Sequence, residues 1–140
     1  MLKQMLFGGE SGLSPLANAG LTLLRIFTGA ALALSHGIGK LPPSEQLIAG
    51  TEKLGFPLPT VFAWAAALAE FLGGAFLALG LFTRPASFFI AFTMLVAAFG
   101  VHLNDPFAKK ELALLYLFAA LCFLLKGAGD WSLDAILRRK

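Results

Sequence analysis

The chain has 140 residues, 58% hydrophobic and 14% charged, with a formal net charge of +3. A soluble domain usually carries about 25% charged residues, so a wholly water-facing surface is excluded and a membrane protein is indicated. No Lys/Arg run interleaves with aromatics, which leaves nucleic acid without a binding stripe, and the single cysteine, Cys122, excludes an internal disulfide or a CxxC redox pair.

A spanning helix needs about 20 mostly apolar residues, and four segments approach that. The first runs about 15–40, with Ser14 placed as N-cap and Pro15 at the first helical position, where a missing N–H costs nothing. Glu10 upstream and Arg25 inside the apolar run do not suit a cleaved leader, so a retained span is expected. The second runs about 60–82, the third 85–103 and the fourth 109–126, stopped by Gly127 and Gly129. Thr83 and Arg84 are expected to form the turn between the second and third segments. In the long first connection, Ser44 caps a predicted short helix through Leu54, closed by Gly55, with Leu47, Ile48, Thr51 and Leu54 on one side as for an interfacial helix. In the tail, Ser132 caps a turn carrying Leu133, Ile136 and Leu137, with Trp131 at headgroup level. The expected fold is therefore all-α. It is a single integral membrane domain over 1–140, a four-helix bundle running up-down-up-down with a short interfacial helix in the first loop.

Lys and Arg near the span ends set the expected orientation. Lys3, Arg84, Lys126, Arg138, Arg139 and Lys140 gather on one side, and Lys40, Lys53, Lys109 and Lys110 on the other. The excess predicts both termini on the cytoplasmic side. Membrane helices associate through small residues and polar contacts. Gly29, Ala33 and Gly37 in the first segment form one expected contact face, and Ala66, Glu70, Gly74 and Ala78 in the second form another. Ser87, Ala91, Met94, Ala98 and His102 form the stripe of the third.

A centred charge costs about 2.5–3.5 kcal/mol on insertion scales, so such groups normally face inward and pair. Arg25 and Glu70 are the inward candidates, and a contact between them is expected, either as a structural pair or as a polar site for a headgroup or a proton. Arg25, Gly29, Leu32, His36 and Lys40 share one helical stripe. His36, Lys40, His102 and Glu111 are expected to converge at the outer end. Histidines there cap helix-end carbonyls, meet a quinone carbonyl, or ligate a metal or haem. No close ligand spacing is present, so no metal site is assigned. Lys126 and Arg84 read as snorkelling groups, and Cys122 as a small core residue. No Ser-His-Asp order, phosphate loop or dinucleotide fingerprint occurs.

Taken in order, these elements resemble the DoxX family. They are Arg25, Ser35-His36-Gly37-Ile38-Gly39-Lys40-Leu41, Gly55-Phe56-Pro57, Glu70-Phe71-Leu72-Gly73-Gly74, Leu79-Gly80-Leu81-Phe82-Thr83-Arg84, Val101-His102 before Phe107 and Glu111, and Gly127-Ala128-Gly129-Asp130-Trp131-Ser132-Leu133-Asp134. The resemblance covers about 21–136. It implies a four-helix protein of the plasma (inner) membrane linked to oxidoreductase systems, named after a subunit of a thiosulfate:quinone oxidoreductase. It supplies no agreed catalytic set. The leading expectation is an oxidoreductase component that binds a quinone or similar amphiphile, with Arg25, His36, Lys40, Glu70, His102 and Glu111 as ligand-binding candidates. Its rivals are a scaffold or assembly subunit for a soluble or membrane oxidoreductase partner, and a small transporter. Membrane lipid is an expected partner and a homo-oligomer a further one.

Overall fold

The computed structural model describes residues 6–9 and 11–139. Lys3, Glu10 and Lys140, used above for charge and leader arguments, lie outside them. The described residues form helices and turns and contain no strand.

Helix α1 spans Pro15–Ala31 and continues through a π-helical stretch, Leu32–Gly37, into a 3-10 turn, Ile38–Lys40. Ser14 caps its start, accepting a hydrogen bond from the Ala17 amide at 3.2 Å. The short helix α2, Glu45–Lys53, is capped by Ser44 through the Leu47 amide at 3.2 Å, as the sequence predicts. Helix α3 spans Pro59–Leu79 and ends on Gly80, whose φ of +66° is the left-handed stop that glycine adopts without strain. Helix α4 starts at Thr83, two residues before the sequence-based boundary, and runs to Val96 before a π-helical extension, Ala97–Val101. Thr83 and Arg84 are therefore helical, and the turn is Gly80–Phe82 instead. Glycine's left-handed C-cap and the amide partners described below fix it there. Helix α5, Phe107–Lys126, and helix α6, Leu133–Arg139, complete the chain.

Three helical stretches are long and apolar enough to cross a membrane: Pro15–Lys40, Pro59–Leu79 and Thr83–Val101. Helix α5 carries Lys109, Lys110 and Glu111 in its opening turns, which shortens its uncharged run. The outer walls are apolar on every long helix. Phe27 on α1, Phe89 on α4 and Phe118 and Leu125 on α5 are all more than half exposed. An apolar exterior this extensive marks a surface made for something other than water.

Glycine sets the approach of α1 to α3. A Cβ on Gly29 would strike the backbone of Gly74 and Ala78, and one on Gly37 would lie 2.5 Å from the Phe71 Cα. Since 29 faces 74–78 and 37 faces 70–71, the two helices run antiparallel. The expected small-residue face is thus the real contact, of the close kind that replaces hydrophobic driving force in lipid. Leu32, Leu77, Ile90, Met94, Leu117 and Phe123 fill the core between the long helices. Ser87, Ala91, Met94 and Ala98 are buried along α4, as their spacing predicts.

Candidate functional site

Two ionisable side chains lie deep in the bundle, Arg25 at 2% exposure and Glu70 at 3%. They do not meet. The Gly29–Gly74 crossing places Arg25 level with the C-terminal end of α3. There its guanidinium donates to the Leu77 and Ala78 carbonyls at 3.0 and 2.8 Å and to the Trp131 carbonyl at 2.9 Å. From there Glu70 is about two turns away, about 11 Å at 1.5 Å per residue. The expected Arg25–Glu70 contact is therefore corrected: helix register, set by glycine, separates two charges that burial alone would pair.

Glu70 pairs with Lys40. The ammonium lies 2.7 Å from both carboxylate oxygens. On an ideal helix Lys40 would continue the Arg25 stripe. That stripe faces α3, since Arg25, Gly29 and Leu32 on it are buried, and the stretch Leu32–Gly37 that leads to Lys40 is π-helical, a kind of segment that often marks a functional site. Lys40 is partly solvated, its side chain 38% exposed against 4% for Glu70.

The pair stands at the polar end of a cavity of about 530 Å³ between α2, α3 and α4, within the usual 300–1,000 Å³ range of small-molecule sites. Its walls are mainly apolar. Phe56 and Phe62 pack at a tilt, 4.9 Å between ring centroids, and Phe89, Phe92 and Val96 of α4 also line the space. Leu47, Thr51 and Leu54 close it from α2. The one-sided pattern of α2 thus has a use that the sequence did not reveal. The Thr51 hydroxyl is satisfied by the Leu47 carbonyl at 2.9 Å, which leaves Lys40 and Glu70 as the charged groups on the lining. An ammonium and a carboxylate at one end of an apolar cavity can together orient a neutral polar head. The ammonium donates to a carbonyl, and the carboxylate accepts from a hydroxyl and can exchange its proton.

The other predicted residues disperse. His36 packs edge-on against Tyr116 at 5.7 Å between ring centroids. His102 Nδ1 lies 2.7 Å from Asp105, a partner that sequence reasoning missed although it sits only three residues on. That hydrogen bond, chiefly, holds the Asp105 carboxyl below its ordinary range. Glu111 is exposed, and none of His36, His102 and Glu111 lines the cavity. Among the described residues no hydrogen bond or ion pair joins any two of His36, Lys40, His102 and Glu111. Lys40 is taken up by Glu70, and His102 by its own loop. Cys122 is exposed on α5, not in the core, because Leu117, Ala120 and Phe123 form the buried face of that helix. Among the described residues no three His, Cys, Asp or Glu side chains group closely enough to hold a metal.

Arg25 belongs to a second centre, a clasp built by the closing motif. Asp134, 2% exposed, accepts from the Phe82 and Thr83 amides at 2.8 and 2.9 Å, which satisfies two orphan donors at the start of α4. Phe82 has φ +48°, a strained conformation for a bulky residue, and Asp134 holds it in place. Gly80 has no room for a side chain, because a Cβ there would strike the Arg25 guanidinium. Asp130 accepts from the amides of Gly12 and Leu13 and from the Asn18 side chain, at 3.1, 3.2 and 3.0 Å. Those bonds, the one from Asn18 foremost, keep its carboxyl below its ordinary range.

Known proteins share this sequence over most of its length. The chain is 36% identical over 122 residues to an uncharacterized protein of Haemophilus influenzae, covering 81% of this chain and 87% of that one. It is 32% identical over 116 residues to a Bacillus subtilis protein named "Putative oxidoreductase CatD", covering 82% and 84%. No solved structure matches. A family model described as DoxX matches residues 20–103, more than half the chain, and together with these relatives it establishes that the chain belongs to the DoxX family.

Proposed function

We propose that this DoxX-family membrane protein is an oxidoreductase component that binds a quinone or similar amphiphile, with the polar head at Lys40 and Glu70. The observation that carries the reading is the cavity itself: about 530 Å³, mainly aromatic and apolar, with one ion pair on its lining, the carboxylate buried and the ammonium partly solvated. A quinone head presents a carbonyl that the Lys40 ammonium can hold. On reduction it becomes a hydroxyl that Glu70 can accept from. The relative named an oxidoreductase supports the redox class. In this reading a partner oxidoreductase supplies the two electrons and water the two protons of the reduction, while this chain binds and orients the head, and the Glu70 carboxylate accepts a hydrogen bond from the quinol hydroxyl.

The membrane placement belongs to the same proposal. Helices α1, α3, α4 and α5 cross the plasma (inner) membrane alternately up and down, with both termini cytoplasmic and α2 in the interface. Helix α5 reaches this span by letting Lys109 and Lys110 snorkel at one end, while its face from Leu112 to Leu125 meets lipid. Leu115 and Leu125 support this, being 62% and 76% exposed.

The test is quinone affinity of the purified chain in lipid nanodiscs. Glu70→Gln and Lys40→Met are expected to weaken binding at least tenfold, and His36→Ala to leave it unchanged. Equal affinity in wild type and both cavity variants contradicts the site.

A further inference from the structure

The cavity of about 530 Å³ carries polar groups besides the ion pair, and most of them are already committed. Lys40 and Glu70 hold each other, the Ser44 hydroxyl caps α2, and the Thr51 hydroxyl donates back to the Leu47 carbonyl. Gln46 is exposed on α2. Thr93 differs from all of these. It lines the cavity from α4 and is half-buried, yet its hydroxyl makes no hydrogen bond to any described residue. A threonine inside a helix can donate to the carbonyl one turn back, as Thr51 does, and Thr93 does not. Two other hydroxyls of α4, Thr83 and Ser87, also lack a partner, but both residues are fully buried in the packing.

The register of α3 on α4 puts Thr93 level with Glu70. The tight turn Gly80–Phe82 makes the two helices antiparallel, and a Cβ added to Gly73 would lie 3.2 Å from the Ile90 side chain, so position 73 pairs with 90. Three residues back along α3 is Glu70 and three onward along α4 is Thr93, each about 4.5 Å further at 1.5 Å per residue. About one more turn along, Ala66 of α3 and Ala97 in the extension of α4 line the same cavity, as this register requires. A head seated at the ion pair therefore has α4 as a wall, with Thr93 at its own level. We propose that Thr93 is a specificity-determining residue of this cavity: its hydroxyl donates to a second oxygen on the edge of the head that faces α4. A ring with an ether or carbonyl oxygen at that edge is then preferred to one with an alkyl group there. This inference rests on the head site proposed above. An oxygen satisfies a hydroxyl that the ligand has desolvated, whereas an alkyl group of the same shape leaves it enclosed and unpaired.

The experiment uses two probes of nearly equal shape, 2-methoxy-1,4-naphthoquinone and 2-ethyl-1,4-naphthoquinone, which exchange one ether oxygen for one methylene. Their dissociation constants are measured on the full chain in phosphatidylcholine nanodiscs by equilibrium dialysis, with empty nanodiscs as the reference. Wild type is expected to prefer the methoxy compound. That preference is expected to fall about threefold or more in Thr93→Val, within the range of one neutral hydrogen bond, and to persist in Thr93→Ser. Comparing the ratio of the two compounds between variants cancels the effect of the methoxy group on the ring and on partition into lipid. Thr93→Val keeps the shape of the side chain and breaks no hydrogen bond of the fold, so its circular dichroism is expected to match wild type. The same methoxy-to-ethyl ratio in wild type and Thr93→Val, while both compounds lose at least tenfold in Glu70→Gln, overturns the Thr93 assignment alone. A ratio that falls equally in Thr93→Ser and Thr93→Val does so too. Both compounds binding wild type and Glu70→Gln alike overturns the head site, and the Thr93 assignment with it.

Discussion

Removing either partner of the Lys40–Glu70 pair destabilises the bundle, and the two losses are unequal in a direction the structure dictates. Breaking a fully buried pair by deleting one partner costs about 3–5 kcal/mol, because the other charge is left unpaired, whereas an exposed pair is worth about 0–1 kcal/mol. Here the side chains are 38% and 4% exposed for lysine and glutamate. Lys40→Met strands the buried carboxylate, and the partial solvent access discounts its cost to about 2–3 kcal/mol. Glu70→Gln strands an ammonium that can extend along its stem toward water, costing about 1 kcal/mol or less. The double variant removes both charges and is expected to recover about 1–2 kcal/mol relative to Lys40→Met alone. Equilibrium unfolding in mixed micelles, followed by circular dichroism, measures all four corners of this cycle. A Glu70→Gln variant less stable than Lys40→Met, or additive losses in the double variant, would refute the reasoning.

Other variants separate packing from the site. Gly29→Leu forces α1 away from Gly74 and Ala78 and is expected to cost at least about 2–3 kcal/mol. Gly20→Ala, where an added Cβ meets nothing within 4 Å, is expected to gain about 0.5–1 kcal/mol; the same unfolding assay checks both. Asp134→Ala removes two charge-assisted bonds to the Phe82 and Thr83 amides and is expected to cost about 3 kcal/mol, read as loss of amide protection at the start of α4 by hydrogen exchange. The Asp130 carboxyl lies below its ordinary pKa of 3.8, so its contribution is full above that value and is lost as pH falls through the lowered one. The Gly12 and Leu13 amide resonances are expected to shift only below pH 3.8, and in Asn18→Ala at higher pH than in wild type.

What the sequence disclosed was decided by short-range rules. Ser14, Ser44 and Ser132 cap helices because hydroxyl capping is local. Gly29 meets Gly74, and Gly37 meets Glu70 and Phe71, because four-residue spacing defines one helix face. What it withheld depended on register. That Arg25 and Glu70 are both buried was legible, but the level of each was not, since it follows from which glycine crosses which. A uniform 3.6-residue period carries Lys40 along the Arg25 stripe toward α3, but which α3 residue it meets follows from the Gly29–Gly74 crossing. The capping role of Asp134 was hidden by distance, with Phe82 and Thr83 about fifty residues upstream. Asp105 was nearer to hand: a carboxylate three residues after His102 in a turn is a recognisable partner.

The central claim, that Lys40 holds the carbonyl of a quinone head at the end of the α2–α3–α4 cavity, is tested most directly by infrared difference spectroscopy with carbon-13-labelled quinone carbonyls. The expected result is a carbonyl stretch lowered on binding by the ammonium hydrogen bond and restored to the free value in Lys40→Met. The same bound frequency in wild type and Lys40→Met would contradict it.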